Sequence, residues 1–392
     1  MKRREFIASI GTVAVGATAG CSMFRSPELS RPRVIDASGR YGSDTTVTLE
    51  IENTGGQSGS FNGTLRAVNG SVDASQNVSA VVPPGENATF ESDPIDVPGA
   101  GDYEIVVEGP PSNDSADDGT PTPVDLTRTT LTVDPGILDA GESLTVDDSL
   151  RVTVEDCSIQ DSVFVGEGDG APSDVFFAPS GAALGLFEVS VENASTDRQA
   201  WRPSERIVVP GGEIYSAGTV GGVSGAGPNI ADDHTLDPST VLDGYVLAKL
   251  PREIVTERPS IGIQTAPSTE RPEYLWSFED AAVDGLAEVR LDDVTAPETA
   301  TSGEDYSITL SFENTGDAPG TGRAVLQYYD EGGLFSTGEW TALSTVDDPA
   351  VELDVPPGET ASTTVSNQPP ERFDGTFRYR VLPSGTEWTT EF

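Results

Sequence analysis

Of 392 residues, two are cysteine, one is histidine and two are lysine, and each scarcity removes a class of function. Two cysteines cannot build a disulfide framework. One histidine without cysteines near it cannot make a zinc site of the usual spacing. His234 stands beside Asp232, Asp233 and Asp237, a set read as a solvated acidic loop. A serine–histidine–carboxylate hydrolase would have to run through His234, and no G-x-S-x-G elbow accompanies it. The glycine-rich stretch 218–227 lacks the Lys-Ser/Thr of a phosphate loop, and neither 167–170 nor 114–118 follows an EF-hand pattern. Acids number 65 against 22 bases, so no basic stripe exists to neutralise phosphates, which argues against nucleic acid as a partner. Carboxylates are so numerous that no acid–base pair stands out. No catalytic residue, cofactor or metal centre is expected, and the chain is read as a non-enzyme. No apolar run reaches the roughly 20 residues of a membrane-spanning helix.

What is present begins at the N-terminus. Lys2-Arg3-Arg4 precedes an apolar run over 7–19, rich in Ala, Gly, Val and Thr. Its length of about 13 residues suits the apolar region of an export signal. Arg3-Arg4 followed by a bulky apolar pair resembles a twin-arginine signal, the route for cargo folded before export. Thr18-Ala19-Gly20-Cys21 resembles a lipobox, in which small residues admit a peptidase and the cysteine thiol takes the lipid. Residues 1–20 are therefore expected to be a signal peptide, Cys21 the lipidation site, and 21–32 a tether. Each buried lipid methylene adds about 0.8 kcal/mol of membrane affinity, so a two-chain lipid on Cys21 would hold firmly.

The formal net charge is −43. Together with this signal and the near-absence of lysine, it resembles the exported lipoproteins of haloarchaea. Dense carboxylates keep a surface hydrated, while molar salt screens their repulsion to within about 3 Å. Glycine (42) and proline (29) are plentiful, which fits many turns and hence many short strands. Cys157 extends the strand-like run 152–157 and is expected to be a buried, inert thiol.

Two segments share one motif order. Thr46–Glu52 alternates apolar and polar residues, then breaks at Asn53-Thr54-Gly55; Pro83-Pro84-Gly85-Glu86 and a second alternating run, 101–107, follow. Near the C-terminus, 306–313 alternates, Asn314-Thr315-Gly316 breaks it, and Pro356-Pro357-Gly358-Glu359 and 375–381 follow. The glycine after Asn-Thr is expected to supply positive φ where the strand turns back. The second copy is longer between its Asn and its Pro-Pro, which predicts an inserted hairpin over 328–340 bending at Gly332-Gly333. This order resembles the immunoglobulin-like CARDB family of prokaryotic surface proteins. The resemblance implies a surface or adhesion module and carries over no binding residues. It gives domains at 33–133 and 287–392. The first encloses a polar, Pro-rich loop at 109–124, read as disordered inside the final hairpin.

Residues 137–284 differ. A strand ending Val191-Glu192-Asn193, the turn Gly212-Glu213-Ile214-Tyr215 and the run Gly244-Tyr245-Val246-Leu247-Ala248-Lys249-Leu250-Pro251 resemble the telokin-like domains of prokaryotic lipoproteins. The glycine-rich loop 218–228 departs from that pattern. The expected fold is all-β, with three immunoglobulin-like β-sandwich domains in series after a lipoprotein signal peptide. Asn62, Asn69, Asn77, Asn87, Asn113 and Asn193 each open an N-x-S/T sequon and are candidate glycan acceptors. Trp201, Trp276, Trp340 and Trp388 are read as core or hairpin anchors. The expected function is a non-catalytic interaction or structural module, lipid-anchored on the outer membrane face in high salt, with surface proteins or glycans as partners. The alternative is a small-molecule- or metal-binding lipoprotein subunit of an exported system.

Overall fold

The computed structural model describes residues 26–70, 72–112, 122–166, 171–264, 271–330, 338–346, 348–369 and 375–392. Arg3, Arg4, Cys21 and Asn113 lie outside the described residues. The chain is all-β, with immunoglobulin-like β-sandwiches in sequence order, and it divides into two compact units, Met1–Asp134 and Pro135–Phe392.

The first unit is built of β1 (Arg33–Arg40), β2 (Thr46–Glu52), β3 (Gly59–Asn69), β4 (Val72–Val82), β5 (Asn87–Glu91), β6 (Gly101–Ser112) and β7 (Thr122–Asp134). Period-two alternation puts Val47, Leu49 and Ile51 of β2 inside and leaves the threonines and glutamates between them on the outer side. The strand order is β4-β3-β6-β7-β1-β2-β5. One strand holds the two layers together: β1 runs antiparallel to β2 and parallel to β7. Its pairing with β2 carries a register shift between Val34 and Asp36, and its pairing with β7 begins at Ser38. Leu65, Ile105 and Leu131 complete the core. Tyr103 donates its hydroxyl proton to the Gly99 carbonyl at 2.8 Å, the tyrosine corner of immunoglobulin-like sandwiches. The final hairpin extends further than its sequence suggested. β6 and β7 pair out to Ser112 and Thr122, so the expected loop 109–124 is strand at both ends. Its centre, 113–121, lies outside the described residues.

The second unit holds two sandwiches. In the C-terminal one, strands Val289–Thr295, Tyr306–Asn314 and Thr360–Asn367 form one sheet. Glu339–Ala342, Gly320–Asp330, Thr376–Leu382 and Thr386–Glu391 form the other, with Ala350–Val355 also paired to Gly320–Asp330. Strand for strand this reproduces the first unit, down to a register shift between Leu291 and Asp293 in the opening strand. The predicted insertion is present as the pairing of Glu339–Ala342 with 327–330; its bend lies outside the described residues. In the middle sandwich, strand Ala182–Asn193 is flanked by Leu150–Gln160 and Val241–Pro251. Ile207–Val208, Ser260–Ile263, Tyr274–Ser277 and Gly136–Leu138 face that sheet. Between them lies a core around Phe187, Trp201 and Trp276. No described helix is long and apolar enough to cross a membrane.

Candidate functional site

In each of the three sandwiches a strand runs into Glu-Asn at its end, and in each the asparagine is fully buried: Asn53, just past β2, Asn193 and Asn314. The three side chains do the same work. The amide nitrogen donates to the carbonyl four residues on: Gln57 at 2.8 Å, Asp197 at 2.8 Å, Ala318 at 2.9 Å. It also donates across the sandwich corner, to Val82 at 3.0 Å, Leu236 at 3.1 Å and Val355 at 2.9 Å. The amide oxygen accepts from the backbone N–H two residues on, at Gly55, Ser195 and Gly316. An uncapped turn here would bury unpaired carbonyls, and the asparagine satisfies them. This corrects one expectation. Asn193 is not a free sequon asparagine, because its amide hydrogens are committed inside the fold and a glycan would have to displace them.

A second correction concerns the Asn-Thr-Gly glycines. Neither Gly55 nor Gly316 has positive φ; in these turns that conformation belongs to Gly85 and Gly358 of the Pro-Pro-Gly corners, at 69° and 70°. Gly55 and Gly316 are required by close approach instead. A Cβ on Gly55 would lie 2.5 Å from the Glu28 nitrogen, and one on Gly316 2.6 Å from the Glu288 nitrogen. The segment leading into each sandwich crosses directly over the turn.

Among the other sequons, Asn62 lies on β3, Asn69 at its end, Asn77 on β4 and Asn87 at the start of β5. All four are exposed. Asn62 pairs with Ser79 and Thr64 with Asn77, so two sequons lie opposed across one hairpin.

The remaining candidates are occupied by the fold. The His234 ring nitrogen Nε2 lies 2.8 Å from the Asn229 carbonyl and donates to it, beside Trp201 on the neighbouring strand. Among the described residues, no group of three or more His, Cys, Asp or Glu could hold a metal ion. Cys157 is buried, and desolvation, with the Asp156 charge adding to it, pushes its thiol up to about 12. The thiolate, which is the reactive form, is thereby suppressed. Trp201 and Trp276 are fully buried and donate to the Ile230 and Glu142 carbonyls. Trp388 stacks on Tyr379. Trp340 lies half-buried between Tyr329 and Arg380, whose guanidinium is 4.4 Å from the ring centre.

Sequence reasoning missed the joint between the middle and C-terminal sandwiches. Strands Ser162–Gly166 and Asp174–Phe177 of the middle sandwich lie across strand Gly320–Asp330. Arg290 stacks over Phe177 at 4.5 Å, and Arg323 lies over Phe164. Arg323 donates to the Ser162 carbonyl and pairs with Glu352 at 2.7 Å and Asp161 at 3.6 Å. Gln327 donates to the Ser173 carbonyl at 3.0 Å. Asp161 is buried, with Oδ2 sealed from solvent and without a hydrogen-bond partner. Desolvation pushes its carboxyl above the ordinary range, against the pull of Arg323. A cleft of about 640 Å³ opens beside it, walled by Ile159, Leu286 and Pro319 among others. The signal in the sequence would have been Phe164 and Phe177 on short strands, with Asp161 in the bend just before the first of them and no partner visible nearby.

No family model matches the chain, and no curated protein matches it. Solved structures resemble it weakly. An uncharacterised β-sandwich protein from Clostridium difficile 630 is 13% identical over 36% of this chain and 93% of that one, with a TM-score of 0.24. The chicken CNTN1 FN1–FN3 domains are 11% identical over 92% of this chain and 94% of that one, with a TM-score of 0.17. Red sea bream transglutaminase is 11% identical over 93% of this chain and 29% of its own, with a TM-score of 0.14.

Proposed function

We propose that the chain is an exported, lipid-anchored surface protein that acts as a non-catalytic interaction or structural module in high salt. The observation that carries this reading is the fate of the chemistry-bearing residues. Asn193, His234, Cys157 and the buried tryptophans are each spent on holding a sandwich together. The arginines are largely spent too, on acids of the same chain: Arg66 on Asp73 and Glu108, Arg151 on Glu192, Arg198 on Asp237, Arg378 on Glu387. What remains outward is a hydrated acidic surface, which stays soluble and discourages nonspecific association. The resemblance of the outer sandwiches to CARDB domains, and of the first 21 residues to a twin-arginine lipoprotein signal, supports a surface location. The alternative of a small-molecule-binding subunit finds less support. The buried carboxylate beside the joint cleft is sealed, so a ligand in the cleft cannot reach its free oxygen.

The test is intact mass and fractionation of the native chain beside Cys21→Ser. The expected result is a membrane-bound protein with lipid mass on Cys21 and a released variant. Both forms soluble and unprocessed would remove the anchored reading.

A further inference from the structure

The edge of the first sandwich is open where an edge is normally guarded. Among the described residues, β4 ends the strand order and pairs only with β3, over all eleven residues and without a register shift. Exposed edges present unpaired N–H and C=O groups, and proteins usually blunt them with charge, proline, bulges or brevity. β4, V-D-A-S-Q-N-V-S-A-V-V, has none of these apart from Asp73, and Asp73 is already paired with Arg66. The alternation sends Ser75, Asn77, Ser79 and Val81 outward, and Val81 is 68% exposed. The C-terminal sandwich provides an internal comparison. Its strand in the same topological place, Ala350–Val355, is only six residues long and presents Asp354 to solvent beside Glu352, which like Asp73 is paired with an arginine of its own sandwich. The guard is thus present in one copy of the fold and missing from the other.

We propose that β4 is a pairing edge for the β4 of a second copy of this chain. The choice of partner follows from charge. On a molecule of net charge −43, almost any two surfaces repel at contact. β4 offers a strip about 36 Å long, at about 3.3 Å per residue, whose single charge is neutralised within its own chain. Antiparallel pairing centred on Asn77 is isologous: it sets Ser75 against a serine and Asn77 against its own equivalent, so no charge meets a like charge. Backbone hydrogen bonds, unlike long-range charge attraction, are not weakened by molar salt. The inference deepens the reading of the chain as an interaction module and is independent of the anchor. A monomeric chain would remove self-pairing and leave membrane attachment untouched.

The experiment is analytical ultracentrifugation of the full chain carrying Cys21→Ser, so that no lipid drives association, in molar sodium chloride. The expected result is a concentration-dependent dimer. Adding Asn77→Asp and Ser79→Asp should weaken the dimer at least tenfold, while Asn62→Asp, on the same face but one strand in, leaves it intact. Unchanged circular dichroism shows that the edge variant still folds. A monomer at every concentration overturns the proposal, as does a dimer indifferent to the edge charges. A monomer carrying a glycan on Asn77 also overturns it and makes the sugar the cover of this edge.

Discussion

At the residue scale, three buried asparagines close the corners of the sandwiches. Removing Asn314 strands the Ala318 and Val355 carbonyls and the Gly316 N–H inside the protein. Each buried polar group left without a partner costs roughly 1–3 kcal/mol, so Asn314→Ala should cost about 3 kcal/mol or more. All four tryptophans lie in the second unit, so their fluorescence during denaturant unfolding reads this change directly. A loss under about 1 kcal/mol would mean that water satisfies the turn and the asparagine is incidental. Cys157 shows the opposite economy at this scale. It contributes packing alone, and burial keeps its thiol protonated over the pH range in which proteins work.

At the scale of elements, the turns decide what the strands can do. Gly358 takes a left-handed conformation over open space, where a side chain would meet strain but no atoms. Gly316 takes an ordinary conformation under a crossing backbone, with a Cβ position 2.6 Å from Glu288 N and 2.8 Å from Ala287 Cα. Gly358→Ala should therefore cost about 1 kcal/mol. Gly316→Ala should cost clearly more, since two backbone segments must separate to admit one methyl group. Equal midpoints for the two variants in denaturant would refute the crossing as the reason for that glycine. The strands and their repeat were legible in the sequence because alternation and Pro-Pro-Gly-Glu are local signals. The role of Gly316 was not legible, because the atoms that exclude a Cβ come from residues almost thirty positions away. Asn193 was misread for a related cause. Asn-Ala-Ser is a sequon by pattern, and only the carbonyls of Leu236 and Asp237, over forty residues on, reveal it as a buried corner. The Glu-Asn shared by all three sandwiches was the available clue.

At the scale of the whole molecule, the joint between the second and third sandwiches turns on one buried carboxylate. Arg323 opposes the desolvation of Asp161 but does not overcome it, since the carboxyl stays above its ordinary 3.8. Glu352 shares the same guanidinium, which weakens the attraction available to Asp161. Between 3.8 and the raised folded value, the folded chain holds a proton that the unfolded chain has released. Stability contributed by this group therefore falls as pH rises through that window and is regained on acidification. Asp317, on the other side of the cleft, works in reverse. The Leu286 N–H and Arg252 hold its carboxyl below the ordinary range, so its contribution is present at neutral pH and lost as pH falls. The two oppose each other, and substitution separates them. Asp161→Asn removes the burial of a charge while keeping the shape, so the variant should be more stable than the parent at neutral pH. That advantage should shrink as pH falls, because the parent carboxyl becomes neutral too. Tryptophan-monitored unfolding at pH 7 and near pH 4 in molar salt, where surface charges are screened, isolates the joint. If Asp161→Asn is less stable at neutral pH, the pair with Arg323 outweighs desolvation, and Asp161 is the clamp of the joint rather than its strained point.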